Sequence, residues 1–129
     1  MNLNVLHWSF VLIGLLATIL SLIIVLRRKK NFLYNHKILA TVGFVLINLS
    51  IIYIYLTNKK ISLSFSHGIL GFLFFILSII NIILGVIFTR KIDTKLKKNV
   101  KTSHVLIGRI IFVLLILNII IGYIFFKPF

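Results

Sequence analysis

The sequence predicts an all-α integral membrane protein, an up-down-up-down four-helix bundle with both termini outside. Of its 129 residues, 60% are hydrophobic, which is more apolar surface than a soluble domain of this size can bury. The apolar residues form four runs of twenty or more, each long enough to cross a bilayer. The predicted spans are residues 5–26, 36–56, 64–88 and 103–126, within a single domain covering 1–129.

The first run is predicted to be a membrane span rather than a signal peptide. The segment that precedes it, Met1–Leu6, carries no basic side chain, and the basic cluster Arg27–Lys30 follows it directly. A signal peptide has the opposite arrangement, with basic residues first and a shorter apolar part. The cluster therefore predicts that the far end of this span lies in the cytoplasm.

The basic residues determine the predicted orientation. The chain has fifteen Lys and Arg against one acid, and eleven of these cations lie in residues 27–37 and 90–101. Since both segments connect spans on the same side, the excess places them in the cytoplasm and both termini outside. Short connections make successive helices antiparallel. Because the cations lie between apolar runs rather than along one surface face, we expect no nucleic-acid partner.

Missing residue types exclude several classes of function. The chain has no cysteine, which excludes disulfides, iron–sulfur clusters, thiolate zinc sites and covalent c-type haem attachment. Its one acid, Asp93, lies outside all four predicted spans. Ion-coupled transporters and proton pumps usually need an acidic group within the membrane, so the sequence argues against both.

The third and fourth spans repeat one pattern of polar and small residues. Ser66–Phe88 and Ser103–Phe125 align with an offset of 37 positions. The coinciding pairs are Ser66/Ser103, His67/His104, Gly71/Gly108, Asn81/Asn118 and Gly85/Gly122. On an α-helix, positions four, fourteen and eighteen after a residue lie within about 40° of it. Each span is therefore predicted to present a histidine, two glycines and an amide on one face, suited to a flat, metal-centred ligand.

Each of the four spans has one histidine near its start: His7, His36, His67 and His104. Because the helices alternate in direction, the first and third histidines share the outer level and the other two share the inner level. Alternate helices of a simple bundle lie diagonally opposite, so each pair can hold one porphyrin between its imidazoles. The sequence thus predicts two non-covalent haems b with these four metal ligands. Filling both axial positions favours electron transfer over substrate binding at the iron.

Other side chains are candidates for contact with the cofactor. The glycines would let the macrocycle approach the backbone, or would simply permit close helix packing. The two asparagines either face the cofactor or hydrogen-bond between helices, at a position fourteen after the histidine that is Ser21 and Ser50 in the first two spans. Cations at the inner level would pair with haem propionates, although Arg109 alternatively reaches toward the headgroups. The candidates are Gly71, Gly85, Gly108, Gly122, Asn81, Asn118, Lys37, Lys101 and Arg109.

With this pattern of histidine, glycine and asparagine, the chain resembles the cytochrome b561 family. The similarity is strongest from His67 to Phe125 and is closest to the membrane core of the ferric-reductase and DOMON-linked branch. For the first helix it depends on His7 and its spacing alone. The resemblance implies a four-helix core with two haems b, the first helix paired with the third and the second with the fourth. His7 and His67 would then ligate the outer haem, and His36 and His104 the inner one.

We therefore expect a multi-pass protein of the plasma membrane that transfers electrons from a cytoplasmic or membrane donor to an outer acceptor. Neither donor nor acceptor is specified, and whether the protein is an enzyme, such as a ferric reductase, depends on the acceptor. One alternative is a haem-bearing anchor subunit of a larger, quinone-linked oxidoreductase. Another is a cofactor-free structural subunit whose histidines are only interfacial. Lipid is an expected partner, as are redox protein subunits, and a homodimer is compatible with the sequence.

Overall fold

Four long helices account for nearly all of the described chain. A computed structural model describes residues 3–27, 30–58, 66–90 and 93–126. The helices are α1 (Leu3–Arg27), α2 (Phe32–Asn58), α3 (Ser66–Phe88) and α4 (Thr94–Phe126). These residues include no strand. Helices are expected here because a chain within lipid must satisfy its own backbone hydrogen bonds.

The predicted membrane class is confirmed. All four helices are long and apolar enough to span a bilayer, and they fit a membrane four-helix bundle. The spanning segments are Val5–Arg27, Phe32–Ile54, His67–Phe88 and Thr94–Phe125. The orientation of the termini stays a prediction. Six of the cations on which it depends, at positions 28, 29, 59, 60, 91 and 127, lie outside the described residues.

The helices pack as two hairpins, each a compact unit of its own. In one unit α1 packs against α2, and in the other α3 packs against α4. Large apolar side chains remain exposed on these helices, such as Leu16 at 59% and Ile83 at 52%. This exposure is typical of helices whose solvent is lipid. That the whole chain forms one domain stays a prediction.

Local signals place the helix starts earlier than hydropathy alone predicts. Asn31 has a φ of 63°, a left-handed conformation that asparagine tolerates better than most residues. It ends the turn after α1, so that α2 begins at Phe32, four residues before its predicted span.

The start of α4 differs most from the prediction. The Asp93 carboxylate Oδ2 accepts from the backbone N–H of Lys95 at 3.1 Å and of Leu96 at 3.4 Å, as an N-cap does. The lysine-rich segment, predicted to be a connection, is therefore the first part of α4. His104 is consequently the eleventh residue of its helix rather than a residue of the first turn.

One repeated set of positions lines the interface in both hairpins. The set consists of the residues that lie 0, 4, 7, 11, 14 and 18 positions after each histidine. Their mean spacing of about 3.5 residues is that of a heptad pattern. We call these positions the histidine face. In the second hairpin they include Phe74, Ser78, Ile111 and Leu115, exposed by 3%, 6%, 9% and 2%.

The first hairpin uses glycine at the centre of the same face. A Cβ atom added to Gly43 would lie 2.9 Å from the carbonyl oxygen of Gly14 on the facing helix. The backbones of α1 and α2 therefore come into direct contact at mid-span. Phe74 and Ile111 occupy the equivalent positions in the second hairpin.

Candidate metal-ligand histidines

The histidines of the second hairpin make matching hydrogen bonds to the facing helix. His67 Nδ1 lies 3.0 Å from the carbonyl oxygen of Asn118, and His104 Nδ1 lies 3.0 Å from that of Asn81. A carbonyl can only accept, so Nδ1 carries the proton and donates it. In a neutral ring the lone pair is then on Nε2. This is the tautomer in which histidine ligates a metal through Nε2.

The first hairpin repeats this arrangement with one difference. His7 Nδ1 lies 3.3 Å from the carbonyl oxygen of Ser50. His36 Nδ1 instead lies 2.7 Å from the Ser21 hydroxyl, with the Ser21 carbonyl oxygen farther away at 3.4 Å. The Ser21 hydroxyl donates to the carbonyl of His36 at 3.3 Å. When the hydroxyl hydrogen is directed to that carbonyl, the hydroxyl accepts from Nδ1 and His36 has the same tautomer as the other three rings.

All four contacts occur at the position fourteen residues after a histidine, where the sequence has a small polar residue. In every case the residue on the facing helix is the fourteenth after that helix's own histidine. Ser21 was part of the sequence pattern but was not among the predicted site residues. Its role depends on a side-chain contact, whereas in the other three contacts the acceptor is a backbone carbonyl.

Two glycines make room for the histidine rings. A Cβ atom on Gly122 would lie 2.8 Å from His67 Cε1, and one on Gly85 would lie 3.1 Å from His104 Cε1. These glycines were predicted to let a macrocycle approach the backbone or to permit close helix packing. Within the hairpin the group they contact is the imidazole, and their predicted contact with a macrocycle stays a prediction.

The other two glycines lie against the asparagine side chains. A Cβ atom on Gly71 would be 3.4 Å from Asn118 Nδ2, and one on Gly108 would be 3.3 Å from Asn81 Nδ2. The Oδ1 atoms of both asparagines and the Ser78 hydroxyl are buried without a hydrogen-bond partner among the described residues. Such atoms are uncommon in folded proteins and call for a polar partner that the described residues do not supply.

The two histidines of one hairpin lie at opposite ends of it. The His67 ring contacts Asn118, the fourteenth residue after His104, and the His104 ring contacts Asn81, the fourteenth residue after His67. Fourteen residues correspond to about 21 Å along a helix. Axial ligands of one metal ion are only about twice a metal–nitrogen bond of about 2 Å apart. The histidines of one hairpin therefore cannot ligate the same iron.

The three candidate cations, Lys37, Lys101 and Arg109, are exposed. On α4, Lys101 lies about 60° around the helix from His104, and Arg109 lies about 140° from it. Lys101 is therefore nearer to the face that carries the histidine. Pairing of any of the three with haem propionates stays a prediction.

The residues present fit a haem with two histidine ligands. The donors are imidazoles whose Nδ1 already has a hydrogen-bond partner, which is the usual outer-shell arrangement of a ligating histidine. All four rings are half-buried, as groups that must admit a cofactor should be. The buried asparagine oxygens lie on the same histidine faces, at the levels of the rings.

Comparison with known proteins agrees with this chemistry. The family model described as eukaryotic cytochrome b561 matches residues 18–127. The matched range includes three of the four histidines and begins after His7. No curated protein and no solved structure matched the chain. Because the family model covers most of the sequence, which also has four apolar spans, the chain belongs to the cytochrome b561 family.

Proposed function

We propose that this protein carries electrons across a membrane through two haems b, one held by His7 and His67 and the other by His36 and His104. Membership of the cytochrome b561 family supports haem binding and transmembrane electron transfer. The observation that supports the proposal is the hydrogen-bond contact at Nδ1 of all four rings, since a neutral ring that donates from Nδ1 has its lone pair on Nε2, the atom that would ligate iron. A bound haem supplies a reversible one-electron iron couple.

The pairing follows from distance and topology. Since about 21 Å of helix separates the histidines of one hairpin, each hairpin would contribute one ligand to each haem. In a bundle of antiparallel spans, the histidines of alternate helices would lie at equal depth. His7 is thereby matched with His67, and His36 with His104.

The protein's own groups would set the properties of the iron. A carbonyl or hydroxyl that accepts from Nδ1–H makes the imidazole a stronger donor and fixes the plane of its ring. The glycines Gly85 and Gly122 leave space for that plane. Lys37, Lys101 and Arg109 would provide positive charge for the propionates, and Gly71, Gly108, Asn81 and Asn118 would line the cofactor face.

Electrons would enter from a cytoplasmic or membrane donor at the His36 and His104 level and leave to an acceptor outside the plasma membrane. Ferric iron, a radical and a partner redox protein are the candidate acceptors, and the resemblance to the ferric-reductase and DOMON-linked branch implies the first. If the protein is instead the anchor of a quinone-linked oxidoreductase, adding a quinol analogue will reduce the bound haem and other subunits will copurify.

The proposal is tested by counting haems in single histidine variants. We expect two haems b per chain from the pyridine haemochrome of protein expressed with ample haem. His7→Leu and His67→Leu should each lose the same haem, and His36→Leu and His104→Leu the other one. Leucine is a suitable replacement because it keeps an apolar side chain in a lipid-facing helix.

Two outcomes contradict the proposal in different ways. Colourless protein would exclude haem binding and favour a structural subunit. A residual spectrum shared by His7→Leu and His36→Leu would retain the haems but contradict the pairing.

A further inference from the structure

The first two turns of α4 carry four lysines, Lys95, Lys97, Lys98 and Lys101, all exposed. We propose that this basic segment binds the phosphate headgroup of an anionic phospholipid where α4 enters the bilayer. The proposal does not depend on haem, and apart from Lys101, which is also a candidate for the propionates, it concerns residues to which the electron-transfer function assigns no role.

The lysines are held on a helix that packs against the rest of its hairpin. Val100, four residues before His104, is only 8% exposed and continues the histidine face beyond the histidine. Lys97, seven residues before His104, places its Nζ atom 5.7 Å from the centre of the Phe88 ring on α3, within cation–π range. With Asp93 capping the first turn, the basic segment is a fixed extension of α4.

The charges on this segment oppose its own helix. Cations in the first turns of a helix face the positive end of its dipole. Lys95 with Lys98, and Lys98 with Lys101, are three residues apart, and Lys97 with Lys101 are four apart, so like charges are neighbours on the helix surface. The helix dipole and the repulsion between neighbouring lysines both favour fraying of the segment unless an anion compensates for them.

The chain itself has no second acid to provide that anion. Its one acidic residue is Asp93, whose carboxylate already accepts from the backbone of the first turn. A compensating negative charge must therefore come from outside the chain.

The position of the segment favours a lipid as the source. The apolar part of α4 from Val105 to Phe126 has 22 residues, about 33 Å of helix, enough for the hydrocarbon core. Lys98 lies seven residues, about 10 Å, before that part, just outside a headgroup layer about 5–8 Å thick, from where a lysine side chain can reach the phosphates. Clusters of four or more lysines next to a span attract anionic lipid at about this distance.

The test measures hydrogen exchange of the Thr94–Val100 amides in nanodiscs of phosphatidylcholine, with and without phosphatidylglycerol. We expect phosphatidylglycerol to slow exchange by about tenfold or more in the unmodified protein, because it removes the repulsion that promotes fraying. The Lys95→Gln/Lys97→Gln/Lys98→Gln variant should show no such dependence. Lys101 is left in place because it is a candidate for the haem site.

Two controls make the result specific. The Arg27→Gln/Lys30→Gln/Arg90→Gln variant removes the same charge from the predicted same side but outside the segment, and should keep the lipid dependence. Inorganic phosphate in phosphatidylcholine nanodiscs should not slow exchange. The proposal would be overturned if phosphatidylglycerol did not change the exchange rate, or if the control variant lost the lipid dependence equally. It would also be overturned if inorganic phosphate, or a soluble acidic peptide added as a second anionic probe, slowed exchange as much as the lipid.

Discussion

Ser21 provides the sharpest test of how this protein would tune its haems. Its hydroxyl lies 2.7 Å from His36 Nδ1, closer than the Ser21 carbonyl oxygen, which is 3.4 Å away. Ser21→Ala removes the near acceptor from a position that is only 2% exposed. Without this acceptor the hydrogen bond from Nδ1–H is weaker, and the imidazole becomes a weaker donor to iron. It therefore stabilises ferric iron less well. The midpoint potential of the haem at His36 should therefore rise.

The free energy of this hydrogen bond determines how far the midpoint potential shifts. A net hydrogen bond contributes about 0.5–1.5 kcal/mol. If about 1 kcal/mol of this favours the ferric state, its loss raises a one-electron potential by about 40 mV, since about 1.4 kcal/mol corresponds to about 59 mV. The other haem should shift by far less, because its ligands make no contact with Ser21.

Ser50 is the matched control. It occupies the equivalent position on α2 and is 0% exposed, but its hydroxyl donates to Ile47 O of its own helix at 2.6 Å. His7 contacts the Ser50 backbone carbonyl instead, which alanine retains. Redox titration followed by absorbance should show a shift in Ser21→Ala and none in Ser50→Ala. The reasoning is refuted if both variants shift alike, or if Ser21→Ala binds two haems at unchanged potentials.

Three further substitutions test other parts of the structure. Gly122→Ala would place a Cβ atom 2.8 Å from the His67 ring, so it should lower the content of the haem that His67 would ligate and leave the other haem in place; loss of both haems or of neither would contradict this. Gly43→Ala would bring a Cβ atom within 2.9 Å of the Gly14 oxygen and should destabilise the first hairpin by about 1–3 kcal/mol in denaturant unfolding in detergent; unchanged stability would mean that α1 and α2 separate freely. Asp93→Ala removes the N-cap of α4 and should cost about 0.5–2 kcal/mol, seen as faster amide exchange at residues 94–98 with haem content unchanged.

The sequence alone determined the features that depend on local composition and helix periodicity. Four apolar runs of sufficient length specify four spans, because each must form its own backbone hydrogen bonds within lipid. The recurrence of His67, Gly71, Asn81 and Gly85 in the next span specifies a common face, because helix geometry brings these positions into line. The start of α4 at Thr94 was missed because lysines end the hydropathy signal, although Asp93 was available as a cap signal.

The tertiary structure decided which atoms meet. His67 and Asn118 are 51 residues apart, and their contact depends on the antiparallel register of two helices, which composition does not encode. Register also decides that Gly122 faces an imidazole and Gly71 an amide. Ser21 and Ser50 are equivalent in sequence, yet only the Ser21 hydroxyl meets a histidine, because side-chain rotamers and small shifts between packed helices select the acceptor within a few tenths of an ångström.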